Sequence, residues 1–274
     1  MPITMPIKVG LVGCGAIGAE IAKAIDSGVI DAELVAVCDH NAATAAALIE
    51  SLKRRPVKAR LEDLVELADV VVEAASQRAV PAIARATLVR GKKLMIMSVG
   101  ALADASLFAE VKKLAQEHGS QVFLPSGAIS GLDGLKSASI GEIRRISLTT
   151  TKHPRGLAGA PYILEKKIDL EGLTGPTVVF QGSALEAVKA FPANVNVAAT
   201  LYLAAGEADV AVRVVADPAI AVNRHEIEVE GDFGRIATKV ENIPSPRNPK
   251  TSYLAALSAI ATLRSIVQPV KIGT

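Results

Sequence analysis

The sequence predicts an α/β protein: a doubly wound parallel sheet, followed by a second, α+β domain with an open, largely antiparallel or mixed sheet. Three observations predict it. Short apolar runs alternate with helix-period segments over about the first 130 residues, the pattern of a parallel sheet covered by helices on both faces. A glycine-rich turn, "GCGAIG", joins the first strand to the first helix. After Gly134 the strands follow one another mostly without helices between them.

Each element has a local reason. "IKVGLV" (7–12) is a short apolar strand, and Ile17, Ile21 and Ile25 after it repeat at helical spacing. "ELVAVCD" is a second strand ending in Asp39, and Asn41 can cap the Ala-rich helix that follows. "ADVVVEAAS" (68–76), "KLMIMSVGA" (93–101) and "QVFLPSGA" (121–128) are further buried strands, separated by helices around Ile83–Leu88 and Asp104–Glu117. In the second half, 143–154, 177–182, 210–216, 225–231 and 235–242 read as strands, with helices near 183–190 and 196–205. Tyr253, Leu257, Ile260, Leu263 and Val267 mark a final amphipathic helix. The expected division is 1–130 as the first domain, rejoined by the C-terminal helix (about 248–274). Residues 131–247 form the second domain, expected to carry substrate binding, catalysis and dimerisation.

Composition excludes several classes. The chain is 50% hydrophobic and 3% aromatic, without Trp, so aliphatic side chains fill its interior. Lys and Arg number 30 against 28 Asp and Glu, which leaves neither a basic track for nucleic acid nor a polybasic membrane patch. No apolar run is long enough to span a bilayer. The N-terminus lacks the basic and apolar regions of a signal peptide. Cys14 and Cys38 are too few for a disulfide framework or a metal cluster. They read as reduced thiols, and the protein as cytoplasmic.

Gly13, Gly15 and Gly18 form G-x-G-x-x-G between a strand and a helix, the fingerprint of a dinucleotide site. The first glycine permits the tight turn, the second lets backbone approach a pyrophosphate, and the third lets helix and strand pack closely. Ala16 and Ile17 open the helix whose N-terminus faces the phosphates. Asp39, at the end of the next strand about 20 residues on, suits the adenosine ribose hydroxyls. Its charge opposes a 2′-phosphate, and the neighbour is His40, not Arg. NAD is therefore favoured over NADP, with NADP use left open because a protonated His40 offsets part of the repulsion. Ala75, Ser98, Val99 and Gly100 fall at the carboxyl ends of later strands, where small residues leave room for the nicotinamide half.

A nicotinamide enzyme needs a substrate anchor and a proton carrier. Of four histidines, His40 belongs to the adenosine end and His118 to a helix C-terminus. His153 precedes Pro154 at a strand end. In "NRHEIEVE" (223–230), His225, Ile227 and Val229 share one face and three glutamates the other. A histidine as first inward residue is either a satisfied core side chain or a working acid/base.

The segments "VGLVGCGAIG", "VVEAAS", "MSVGAL", "LPSGAISGLDG", "FPANVNVAATL", "NRHEIEVEGDFG" and "NPKTS" occur in this order. Together they resemble the L-aspartate dehydrogenase family over nearly the whole chain. The resemblance implies a Rossmann domain with an α+β domain, usually a homodimer. It implies NAD(P)-linked oxidation of L-aspartate to iminoaspartate, which gives oxaloacetate and ammonia and can feed NAD biosynthesis. His225 matches the family's active-site histidine, at a strand start facing a cleft. Ala128 and Asn196 match its NAD-contacting positions. A base of near-neutral pKa suits the reaction. Ser126, Lys152, His153 and Lys250 are candidates for binding substrate, with Arg155 and Arg224 as further cations. For Lys152, Arg155, Arg224 and Lys250 the first reading is a solvated surface charge. The rival readings are another two-domain NAD(P) reductase, such as dihydrodipicolinate reductase or homoserine dehydrogenase, and a dinucleotide-binding sensor without catalysis.

Overall fold

Aliphatic and β-branched runs too short for helices become the strands of the first sheet. The computed structural model describes residues 6–192, 196–245 and 248–273, the side chains of 248–250 excepted. The chain divides into two compact units, Met1–Pro125 with Ala256–Lys271, and Ser126–Ala255 with Ile272–Thr274.

The first unit runs β1 (Ile7–Val12), α1 (Ala16–Asp26), β2 (Ala32–Cys38), α2 (Ala42–Glu50), β3 (Val57–Lys58), α3 (Leu61–Leu67), β4 (Val70–Glu73), α4 (Val80–Leu88), β5 (Lys93–Ile96), a 3-10 turn (Val99–Ala103), α5 (Ala105–Glu117) and β6 (Val122–Phe123). The sheet order is β3-β2-β1-β4-β5-β6, and the pairs are parallel throughout. Chain order reverses between β1 and β4, so that is the switch point. Val70, Val71 and Val72 of β4 are buried, as a strand covered on both faces requires. Ile21 and Ile25 of α1 pack into the same core as Val9 and Leu11. Asn41 caps α2 as expected, its Oδ1 accepting from Ala43 N at 3.0 Å and Thr44 N at 3.3 Å. Such a cap is worth about 1 kcal/mol.

The second unit runs α6 (Leu132–Ala138), β7 (Ile143–Lys152), α7 (Pro154–Leu157), α8 (Pro161–Glu165), β8 (Thr177–Ser183), α9 (Ala184–Ala190), α10 (Asn196–Ala204), β9 (Ala211–Ala216), β10 (Asn223–Gly231), β11 (Gly234–Asn242), β12 (Pro244–Ser245) and β13 (Asn248–Ser252). The final helix, α11 (Tyr253–Val267), follows directly, and its Ala259 and Leu263 join the first unit's core. The main sheet has the order β11-β10-β7-β9-β8. It is mixed: β7–β9 is parallel and the other three pairs are antiparallel. One face carries Ile146, Leu148, Val212, Val214, Ile227 and Val229 into a core shared with α9 and α10. Phe180 and Phe191 stack edge-on there with centroids 5.6 Å apart, and Tyr162 meets Phe180 at 5.2 Å. Among the described residues no helix is long and apolar enough to cross a membrane.

Several boundaries differ from the sequence reading. The run at 121–128 pairs only over β6, because Pro125 and Gly127 leave the ladder. Residues 99–101 turn into a 3-10 helix instead of extending β5. β10 starts at Asn223, two residues before the expected start, so His225 is its second inward residue.

Candidate active site

Two sites emerge, one in each unit. In the first, β1 ends in a turn that only glycine can make. Gly13 has φ +98°, and a Cβ there would strike the carbonyl of Ala74 and the amide nitrogen of Ala75. A Cβ on Gly18 would fall on the carbonyl oxygen of Gly13, whereas one on Gly15 would meet nothing within 4 Å. The turn is thus tight on its inner side and open at Gly15, leaving space where a pyrophosphate would lie. Gly15 also caps α1 without a side-chain bond, so the helix presents backbone N–H groups there.

Asp39 ties this loop to β2. Its Oδ2 accepts from Cys14 N at 2.7 Å and its Oδ1 from Asn41 N at 2.8 Å. His40 Nδ1 lies 3.1 Å from Oδ1 and is almost fully exposed. Each carboxylate oxygen keeps acceptor capacity for a ribose hydroxyl. Burial and the Asp39 charge push the Cys14 thiol up to about 12, and burial raises Cys38 as well. Both are free thiols held in the neutral form.

Gly13, Gly15, Asp39, His40 and Ala75 line one cavity of about 710 Å³. Asn41, Thr44 and Arg78 line it too, and sequence reasoning did not select them. Asn41 was read only as a cap, and nothing local marks Arg78. Ala16, Ile17 and Gly18 form the first turn of α1. Ser98, Val99 and Gly100 are buried at the end of β5 and do not line that cavity. The glycine cradle, the open first turn of α1 and the carboxylate at the end of β2 fit a nicotinamide dinucleotide.

In the second unit the inward face of the main sheet changes character at one end. Along β10 the buried positions read Gly231, Val229, Ile227, then His225 and Asn223. Along β7 the same face reads Ile146, Leu148, then Thr150 and Lys152, all buried. Thr150 is paired with His225 across the two strands, and Lys152 with Ala216 of β9. His225 is 2% exposed and Lys152 4%. His225 Nδ1 lies 3.0 Å from Thr150 Oγ1. Asn223 Nδ2 donates to Ser252 Oγ at 3.4 Å, and Asn242 Nδ2 donates to the Ala128 carbonyl at 2.9 Å.

Burial changes the proton chemistry of this cluster. His225 is pushed down to about 3, first by burial and then by the Lys152 charge. Lys152 is pushed down to about 8 by burial. The near-neutral imidazole expected from sequence is therefore not found, and of the two groups Lys152 lies nearer neutral pH. Lys152 is also no solvated surface charge.

The other candidates have other surroundings. His153 caps α7, its Nδ1 accepting from Arg155 N at 3.2 Å. Arg224 points to the opposite face and pairs with Glu241 at 2.8 Å. Asn196 opens α10, where its carbonyl accepts from Thr200 Oγ1 at 3.0 Å. Ser126 is half-buried. Lys250 lies in β13, and its side chain falls outside the described residues. Among the described residues no group of three or more His, Cys, Asp or Glu is arranged to hold a metal.

Two family models match successive parts of the chain. Residues 133–266 match the family model described as aspartate dehydrogenase, C-terminal. Residues 13–125 match the one described as homoserine dehydrogenase, NAD binding domain. An L-aspartate dehydrogenase from Methanosarcina mazei is 53% identical over 98% of this chain and 100% of its own. One from Methanocaldococcus jannaschii is 44% identical, with the same shares covered. The crystal structure of an aspartate dehydrogenase from Thermotoga maritima aligns with TM-score 0.76 and 29% identity, over 98% of this chain and 100% of that one.

Proposed function

The chain belongs to the L-aspartate dehydrogenase family, and from that premise we propose that it oxidises L-aspartate to iminoaspartate. Hydrolysis of the imine gives oxaloacetate and ammonia, and the imine itself is a precursor for NAD biosynthesis. The observation that carries the reading is the buried grouping of Lys152, Thr150 and His225 at the polar end of a largely apolar sheet face. A sensor that only binds a dinucleotide has no use for these costly polar groups in its second domain.

A bound nicotinamide supplies the hydride acceptor for Cα–H of the substrate. The substrate ammonium must lose a proton first, so that its lone pair can assist. His225 takes that proton: with Nδ1–H donated to Thr150 Oγ1, Nε2 is left as the acceptor. The Lys152 ammonium holds a substrate carboxylate, and the negative charge so introduced raises the proton affinity of His225. Once the ring has released that proton to solvent, its free Nε2 activates water for imine hydrolysis. Ala128 and Asn196 stand at the family's NAD-contacting positions in this reading, and Ser126 and Lys250 are further candidates for holding substrate.

NAD is the preferred cofactor, because the Asp39 carboxylate repels a 2′-phosphate and the exposed His40 offsets it weakly. The protein works as a cytoplasmic homodimer; light scattering of the purified protein checks the dimer. The activity test mixes the protein with NAD or NADP and L-aspartate, L-homoserine or L-glutamate, and follows absorbance of the reduced nicotinamide. Reduction with L-aspartate alone is expected. Reduction with L-homoserine and none with L-aspartate would overturn the reading.

A further inference from the structure

Glu73 ends β4 in the middle of the parallel sheet and is fully buried. A carboxylate is expensive in such a place unless donors surround it. Four do. Oε1 accepts from Ala75 N and from Ser98 Oγ, each at 2.8 Å. Oε2 accepts from Ser98 N at 2.9 Å and from Met97 N at 3.2 Å. The Met97 amide also donates to the Glu73 carbonyl at 3.0 Å. One side chain therefore ties its own loop, after β4, to the loop after β5.

The loop after β4 is also a wall of the dinucleotide cradle. Its Ala74 and Ala75 backbone stands directly against Gly13, where no Cβ would fit. Ala74 N donates to Val12 O at 2.8 Å. Strand order then sets the direction of the ligand. The ribose-binding carboxylate ends β2, the phosphate-binding turn follows β1, and β4 and β5 lie beyond. A dinucleotide laid across this edge puts its adenosine over β2 and its nicotinamide half over β4 and β5.

We propose that Glu73 is a positioning residue for the nicotinamide half of the cofactor, holding residues 74–76 and 97–99 in register with the glycine-rich turn. This rests on the dinucleotide reading of the first unit. The side chain touches no reacting atom; it acts through Ala75 and Ser98.

The test is Glu73→Gln in the full chain, titrated with NADH by fluorescence and with ADP by calorimetry. A carboxamide has one acceptor oxygen, so its NH₂ must face two of the four donors. NADH should bind about ten-fold more weakly. ADP, which reaches only the β2 and β1 end, should bind within about two-fold of wild type, and kcat should fall along with NADH affinity. Equal weakening of both ligands, as a general softening of the domain would give, overturns the proposal. So does unchanged NADH binding. A wild type that binds neither ligand overturns the dinucleotide reading itself. Should the Gln variant fail to fold, Ser98→Ala removes one bond alone. It should weaken NADH about three-fold without affecting ADP, and unchanged NADH binding there is equally fatal.

Discussion

Replacing His225 by asparagine separates packing from catalysis, because the two readings differ in pH dependence. In the unfolded chain the imidazole takes a proton near pH 6.5. In the folded protein it takes none until about pH 3. Between those values the unfolded state binds more protons, so stability is complete above pH 6.5 and is lost as pH falls. At about 1.4 kcal/mol per pH unit, the ring withdraws on the order of 5 kcal/mol across the window. That is a large share of the roughly 5–15 kcal/mol that stabilises a typical domain. The variant lacks this term. At pH 7 it should be less stable than wild type by about 1–3 kcal/mol, since the buried Thr150 hydroxyl loses its partner. By pH 4 that deficit should have vanished or reversed. Urea melts followed by far-UV circular dichroism suit the assay, as the chain has no Trp. In the same preparations kcat for L-aspartate should fall by about 10²–10⁴. Parallel pH–stability curves would refute the buried neutral ring, and a normal kcat would refute its role as base.

Lys152→Met should raise KM for aspartate. It should also remove a fall in kcat/KM above about pH 8, where Lys152 loses the charge proposed to bind carboxylate; a limb that persists in the variant would assign it elsewhere. Asp39→Ser should shift kcat/KM toward NADP by relieving repulsion of the 2′-phosphate, and a wild type that already prefers NADP would contradict that account. Gly13→Ala should abolish NADH binding, because the new methyl has no room against Ala74 and Ala75; calorimetry showing wild-type affinity would reject the cradle.

The first unit was largely readable because its signals are local. Gly13, Gly15 and Gly18, the apolar run of β1 and the cap at Asn41 each lie within a few residues of the structure they specify. The doubly wound parallel sheet followed from the alternation of elements. The small helices α3, α6, α7 and α8 were not foreseen, as segments of four to seven residues carry too little periodicity. Glu73 left a trace that was passed over: an acidic residue closing an all-valine strand needs buried donors. The burial of Lys152 left none. It depends on pairing with Ala216 and on proximity to His225, both more than 60 residues away in the chain. The depressed proton affinity of His225 has the same non-local origin, so the sequence marked the residue but misjudged its titration.

The second unit makes its site by continuing a core pattern instead of interrupting it. Period-2 alternation sends every second residue of β7 and β10 to one face. Where those residues are Ile146, Leu148, Ile227 and Val229, the face packs against α9 and α10. Where they become Thr150, Lys152, His225 and Asn223, the same geometry brings polar groups inward on adjacent strands. The Thr150–His225 distance is set by strand spacing and register, not by a loop. A one-residue slip of β10 would send His225 to the glutamate face and bring Glu226 inward. The apolar residues farther along each strand resist that slip, since it would expose Ile227 and Val229 as well. The hydrophobic core thus fixes the position of the His225 ring, and the cost of burying His225 and Lys152 is carried by the same strands that align them.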